Sequence, residues 1–206
     1  MDHRFASARM RAFTLVFAAM LPFSVFGQDG ARGNEGGGDC HVGSYRLDDG
    51  TNVDIGSADD GKLRWRRKDG TTGALTRAPD GRWQSTRGWT DRADGIEVSF
   101  AACAEGTLAF AGVAGSKIGF DVTDTRFEGA GVTLAGRLTL PHGNARVPIV
   151  VLVHGAEHTS ALDNYTLQRQ FASEGIGVFA YDKRGTGKSE GHYSQDYLVL
   201  ATDVIA

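Results

Sequence analysis

The chain has almost no excess of charge of either sign. It carries 22 Lys and Arg against 25 Asp and Glu, a formal net charge of −3 over 206 residues. No basic surplus attracts a polyanion, so nucleic acid is excluded as an expected partner. Long apolar runs are scarce too. The one present is Ala12 to Phe26, AFTLVFAAMLPFSVF, behind Arg4, Arg9 and Arg11. A bilayer asks for about 20 apolar residues, so this run reads as the core of a secretory signal peptide over 1–27, with cleavage near Gly27 and Gln28. An uncleaved anchor is the alternative. No Cys follows the run, which argues against a lipoprotein. No later segment is long enough to span, so no stable membrane insertion is expected after cleavage. The expected location is the periplasm or the outside of the cell.

Cysteine is equally scarce. Cys40 and Cys103 are the only two, and in a chain bound for an oxidising compartment they read as a disulfide. Closing that loop contributes about 3–4 kcal/mol in the chain-entropy model. Two buried thiols are the alternative. Two thiols beside His41 do not complete a metal-ligand set, so no metal is expected, and no cofactor.

Glycine, by contrast, is abundant, with 29 residues, which favours tight turns. Residues 28–39, QDGARGNEGGGD, have no apolar periodicity and read as a flexible linker. Over 40–116 Asp-Gly pairs recur at 49–50, 60–61, 69–70, 80–81 and 94–95. Asp-Gly supplies the positive φ of tight hairpins, so this stretch predicts an all-β accessory module, an antiparallel meander stapled by the disulfide. Leu63 and Trp65 alternate with arginines, giving one buried and one wet face. Trp65, Trp83 and Trp89 are read as core residues; a sugar-binding platform is the competing reading. Residues 118–140 predict a two-stranded hairpin.

From residue 147 the pattern becomes α/β. IVVLV, 149–153, is apolar throughout, as expected of a strand buried on both faces. Ser160 and Asp163 suggest a capping box. Leu167, Phe171 and Ala172 form a helical stripe that Gly175 stops. IGVFAY, 176–181, reads as a second strand in a right-handed parallel crossover. A last helix is expected from about Ser194.

The stretch YDKRGTGKSEG, 181–191, admits three readings. As a P-loop it needs glycine at 182, where Asp182 stands, and a helix opening at Lys188. As a nucleophile elbow it needs Ser189 directly between strand and helix, whereas Ser189 lies seven residues past Asp182. The third reading pairs the stretch with VLVHGAE, 151–157. Together, one helix apart, these two segments resemble those of bacterial serine hydrolases of the α/β-hydrolase superfamily, in the esterase and serine aminopeptidase-like group.

That resemblance implies an α/β fold class for 117–206: the N-terminal half of an α/β-hydrolase, truncated and preceded by the β-meander. It implies hydrolysis of ester or amide (peptide) bonds in a small-molecule ester or peptide substrate. It places the Ala156 N–H in the oxyanion hole, on an oxyanion loop with His154, Gly155 and Glu157. Such a donor is worth about 3–4 kcal/mol of barrier. Glu157 and His158 become rim residues rather than bases. Asp182, Arg184, Gly185, Gly187 and Ser189 become a structural loop, with Asp182 and Arg184 bonded to each other or to backbone. The nucleophile strand, its elbow, the acid and the His would follow residue 206. The chain is therefore expected to be an inactive N-terminal fragment without a triad, its nucleophile a serine or, as in dehalogenases, an aspartate. The competing function is a non-catalytic protein whose β-module binds a glycan or peptide.

Overall fold

A computed structural model of the chain describes residues 39–143 and 146–205. The expected signal peptide, and all of the expected linker but residue 39, lie outside the described residues.

The Asp-Gly turns build the first body. Asp49, Asp69 and Asp80 each accept the N–H two residues ahead, and Gly50, Gly70 and Gly81 take φ of +82°, +84° and +87°. The side chain thus imitates a backbone turn while glycine takes the left-handed angle. These turns, with the short 3-10 turn Asp59–Gly61 between the second and third strands, separate β1 (Gly43–Leu47), β2 (Asn52–Ser57), β3 (Leu63–Arg66), β4 (Thr72–Arg77) and β5 (Trp83–Arg87). Then come β6 (Ala93–Phe100), β7 (Thr107–Phe110) and β8 (Val113–Lys117). Asp94-Gly95 is not a turn; it lies inside β6, where the register against β5 shifts. Every neighbour pairs antiparallel, and β8 returns to β1 with Tyr45 opposite Lys117, closing the barrel.

Alternation fills the barrel. Tyr45, Leu47, Val53, Ile55, Leu63, Trp65, Leu75, Trp83, Val98, Leu108 and Phe110 form one buried cluster. The Trp65 indole N–H donates to Ser85 Oγ at 2.8 Å, and that hydroxyl donates to Asp94. Glycine is obligatory at 73, because a Cβ there would meet Trp65, Ser85 and the Thr86 carbonyl. Trp89 is 79% exposed, with Arg64 stacked on it. Two tryptophans are therefore core and one is not, so the three do not form a common platform.

The second body is a four-stranded mixed sheet in the order β11-β12-β10-β9. Its strands are β9 (Phe120–Glu128), β10 (Thr133–Pro141), β11 (Ile149–Leu152) and β12 (Gly177–Tyr181). Its helices are α1 (Ala161–Asn164), α2 (Leu167–Ser173) and α3 (Tyr197–Ile205). Only β11 and β12 run parallel. Ser160 caps α1 by accepting the Asp163 N–H. Tyr165 then turns extended, with ψ of 98°, and separates α1 from α2.

The expected fold class is overturned. The described residues are mostly β, a closed eight-stranded antiparallel barrel and a mixed sheet with three short helices, and do not form an α/β-hydrolase fold. Two reasons are physical. The helical stripe at Leu167, Phe171 and Ala172 is cut short by Tyr165 on one side and Gly175 on the other. And β11 is not covered on both faces: Ile149, Val151 and Val153 are 55%, 55% and 57% exposed. The expected antiparallel meander closes into a barrel because β1 and β8 find each other.

Helix α2 joins barrel and sheet. The Arg169 guanidinium donates to both oxygens of Asp54 on β2, at 3.1 and 3.3 Å, while Ser44 Oγ donates to the same carboxylate. Asn52 donates to the Ser173 carbonyl at the other end of α2. Among the described residues no helix is long and apolar enough to cross a membrane.

Candidate functional site

Beyond β11 the chain enters the His154–Gly155–Ala156–Glu157 turn, and beyond β12 it enters the 182–191 loop. Because β11 and β12 are parallel neighbours, both loops leave the same edge of the sheet. Between them and α3 lies a cleft of about 510 Å³, lined by His154, Gly155, Ala156, Lys183, Tyr197 and Leu200 among others.

Side chains from elsewhere in the fold hold three backbone polar groups of the first loop. The Gly155 N–H donates to the Tyr165 hydroxyl at 2.9 Å, and that hydroxyl donates to the Glu157 carboxylate at 3.2 Å. The Gly155 carbonyl accepts from Lys183 Nζ at 2.7 Å. The Ala156 carbonyl accepts from the Tyr193 hydroxyl at 2.6 Å. Among the described residues, the Ala156 N–H has no partner, and Ala156 is exposed and lines the cleft. An exposed N–H without a protein partner is free to meet water or a ligand, and this one sits at the cleft wall between carbonyls that are held.

His154 is buried below the loop. Its Nε2 faces the Thr159 carbonyl at 2.8 Å and its Nδ1 the Gly155 carbonyl at 3.1 Å. A neutral ring donates to one of these two carbonyls, and both nitrogens face backbone oxygens rather than the cleft. Glu157 is exposed. Its own N–H lowers its pKa most, slight burial opposes, and the Tyr165 hydroxyl, His154 and Lys183 add to the lowering. The carboxyl therefore sits below the usual glutamate range and makes a poor general base. His158 stacks on Tyr193, centroids 3.6 Å apart.

In the second loop Asp182 is buried and fully occupied. Its carboxylate accepts from the Ser160 hydroxyl at 2.8 Å and from the N–H groups of Leu162 and Lys188 at 3.2 Å each. The Lys188 N–H that a P-loop would aim at phosphate is thus turned onto a carboxylate. Arg184 does not bond Asp182; it pairs with Asp203 of α3 and donates to the Ala130 carbonyl at 3.0 Å. The Ser189 hydroxyl donates to the Asp182 carbonyl and accepts the Ala135 N–H at 2.8 Å. It is committed to joining loop and β10, and among the described residues no histidine is bonded to it. Gly185 and Gly187 take φ of +69° and +50°. A Cβ on Gly185 would collide with the His192 and Tyr193 backbone, and one on Gly187 with Asp182.

Lys183, Tyr165, Tyr193 and Asp203 escaped the sequence reading, and Ser160 was read as a helix cap but not as a partner of Asp182. The others act across loops, and their spacing announces nothing. Far from the cleft, Cys40 and Cys103 are joined in a disulfide. His41 lies beside them, but the two sulfurs are bonded to each other.

Residues 145–205 match the model of the serine aminopeptidase S33 family, Hydrolase_4. The match covers less than a third of the chain, and it makes this segment similar to a hydrolase family of the α/β-hydrolase superfamily. The likeness is one of sequence, set within an architecture that is mostly β. No curated protein matches the chain.

Proposed function

We propose that this chain is an exported hydrolase component acting on ester or amide bonds by acyl transfer, with the Ala156 N–H as oxyanion donor. One observation carries the reading. In the turn after β11, Gly155 N–H, Gly155 carbonyl and Ala156 carbonyl are all engaged by side chains, while the Ala156 N–H between them has no partner among the described residues and belongs to a residue that lines the cleft of about 510 Å³. A donor fixed before the reaction stabilises charge that develops only in the transition state, at no reorganisation cost. The similarity of 145–205 to serine aminopeptidases supports hydrolysis as the chemistry. The Cys40–Cys103 disulfide supports export. His154, Gly155 and Glu157 shape the loop, and Asp182, Arg184, Gly185, Gly187 and Ser189 buttress it.

Among the described residues no serine hydroxyl is bonded to a histidine, so the 206-residue chain is expected to show no turnover. The test is an NMR titration of the 15N-labelled chain with acetate, a mimic of the oxyanion. The Ala156 amide should shift progressively and saturably. Saturable shifts at other cleft amides with Ala156 unmoved would sink the oxyanion assignment.

A further inference from the structure

We infer that Lys183 is a positioning residue that aims and strengthens the Ala156 donor, an inference that rests on the oxyanion reading above. Lys183 is 1% exposed, at the foot of the cleft. A buried ammonium is costly unless its protons are satisfied. Here Nζ donates to the Gly155 carbonyl at 2.7 Å and lies 4.5 Å from the centroid of the Tyr193 ring. The Tyr193 hydroxyl in turn holds the Ala156 carbonyl. One lysine thus contacts both the turn and the aromatic ring that clamps the turn's next residue.

The geometry of the peptide supplies the rest. The Gly155 carbonyl and the Ala156 N–H belong to one peptide plane, and no peptide bond among the described residues is cis. In a planar trans unit these two groups point in opposite directions. Whatever holds the oxygen therefore aims the N–H. The ammonium pulls the Gly155 carbonyl inward, and the Ala156 N–H turns outward. A charge-assisted bond to the oxygen also polarises the amide and makes its N–H a better donor. Tyr165 adds the hinge by fixing the preceding N–H. The His154 Nδ1 also faces the Gly155 carbonyl, at the longer distance of 3.1 Å, and of the neighbouring loop side chains Asp182 faces Ser160 and Arg184 faces Asp203, so Lys183 is the charged group on this oxygen.

The experiment uses the full 206-residue chain, labelled with 15N and 13C, and acetate as the oxyanion probe. In the wild type the Lys183 Nζ should show scalar coupling through its hydrogen bond to the Gly155 carbonyl carbon. In Lys183→Met the Ala156 amide proton should move upfield and acetate should bind about tenfold more weakly, the loss expected for one charge-assisted bond. Lys183→Arg should recover most of the affinity. Equal acetate affinity and an unmoved Ala156 amide in Lys183→Met would overturn the proposal and leave the oxyanion reading standing. If acetate leaves Ala156 unmoved in the wild type, the oxyanion reading fails, and the amide shift in Lys183→Met alone decides whether Lys183 orients the peptide. Should Lys183→Met not fold, a missing Nζ-to-carbonyl coupling in the wild type overturns the proposal.

Discussion

Arg184 and Asp203 form a two-point ion pair, Nε to Oδ2 at 2.7 Å and Nη2 to Oδ1 at 2.5 Å. It ties the loop after β12 to α3, and the Ala130 N–H adds a third donor to the same carboxylate at 2.9 Å. Burial works to raise the Asp203 pKa, but the Arg184 hydrogen bonds, the Ala130 N–H and the Arg184 charge outweigh it and hold the carboxyl below its ordinary range. A carboxyl depressed in the folded state stabilises it fully above the unfolded value, about 3.9, and that contribution fades as pH falls through the lower folded value. Asp203→Asn should cost about 3 kcal/mol at pH 7. Its unfolding free energy should also fall less steeply below pH 4 than that of the wild type. Denaturant unfolding at pH 3 to 7 checks both.

The Cys40–Cys103 bridge encloses a sequence separation of 63. Reduction should lower stability by about 4 kcal/mol in the chain-entropy model. Thermal unfolding with and without a reductant, followed by the fluorescence of the buried Trp65 and Trp83, measures it.

Gly185→Ala should displace the His192–Tyr193 backbone, since the new Cβ has no room and the residue keeps a left-handed φ. A loss of about 2–3 kcal/mol is expected. Because Tyr193 would move with that backbone, the Ala156 amide should shift as well, which distinguishes this change from a distant destabilisation. Unfolding curves and an HSQC spectrum supply the two readouts.

Ser189 should not react with a fluorophosphonate probe. Its hydroxyl is shared between the Asp182 carbonyl and the Ala135 N–H, and among the described residues no histidine is bonded to it. Ser189→Ala should instead cost about 1–3 kcal/mol, the penalty for leaving a part-buried N–H unpaired. Mass spectrometry of probe-treated protein and denaturant unfolding test the pair of expectations. Labelling at Ser189 would return it to the nucleophile role.

What the sequence disclosed follows the range of the forces involved. Local chemistry was legible: Asp49-Gly50, Asp69-Gly70 and Asp80-Gly81 each determine a hairpin within four residues. The Cys40–Cys103 pairing was legible because no other partner exists. Asp94-Gly95 misled, since the same dipeptide serves a bulge inside a strand when a nearby Gly88 makes the turn. Barrel closure was hidden, because it depends on Tyr45 meeting Lys117, and no short window contains both. The α/β class was misjudged at 149–153, where an unbroken apolar run suggested two covered faces and the odd-numbered side chains are exposed. In the candidate site, Ala156 and the glycines of 182–191 were named through the resemblance that VLVHGAE and YDKRGTGKSEG carry, and the role of Ala156 stays a proposal. Lys183, Tyr165 and Tyr193 were not, because each reaches the turn after β11 from a different part of the chain.

Closure of the barrel through β1 and β8 sets its two chain boundaries side by side, with Gly43 and Lys117 on adjacent strands. The order of its strands in the gene is therefore only one of several that give the same ring. Linking 117 to 40 and opening the chain at the exposed Asp80-Gly81 turn preserves every strand pairing in the barrel and keeps the Cys40–Cys103 bridge. Circular permutation of this module should be tolerated as surface-turn permutations are, provided that the Arg169–Asp54 and Asn52–Ser173 bonds to α2 re-form.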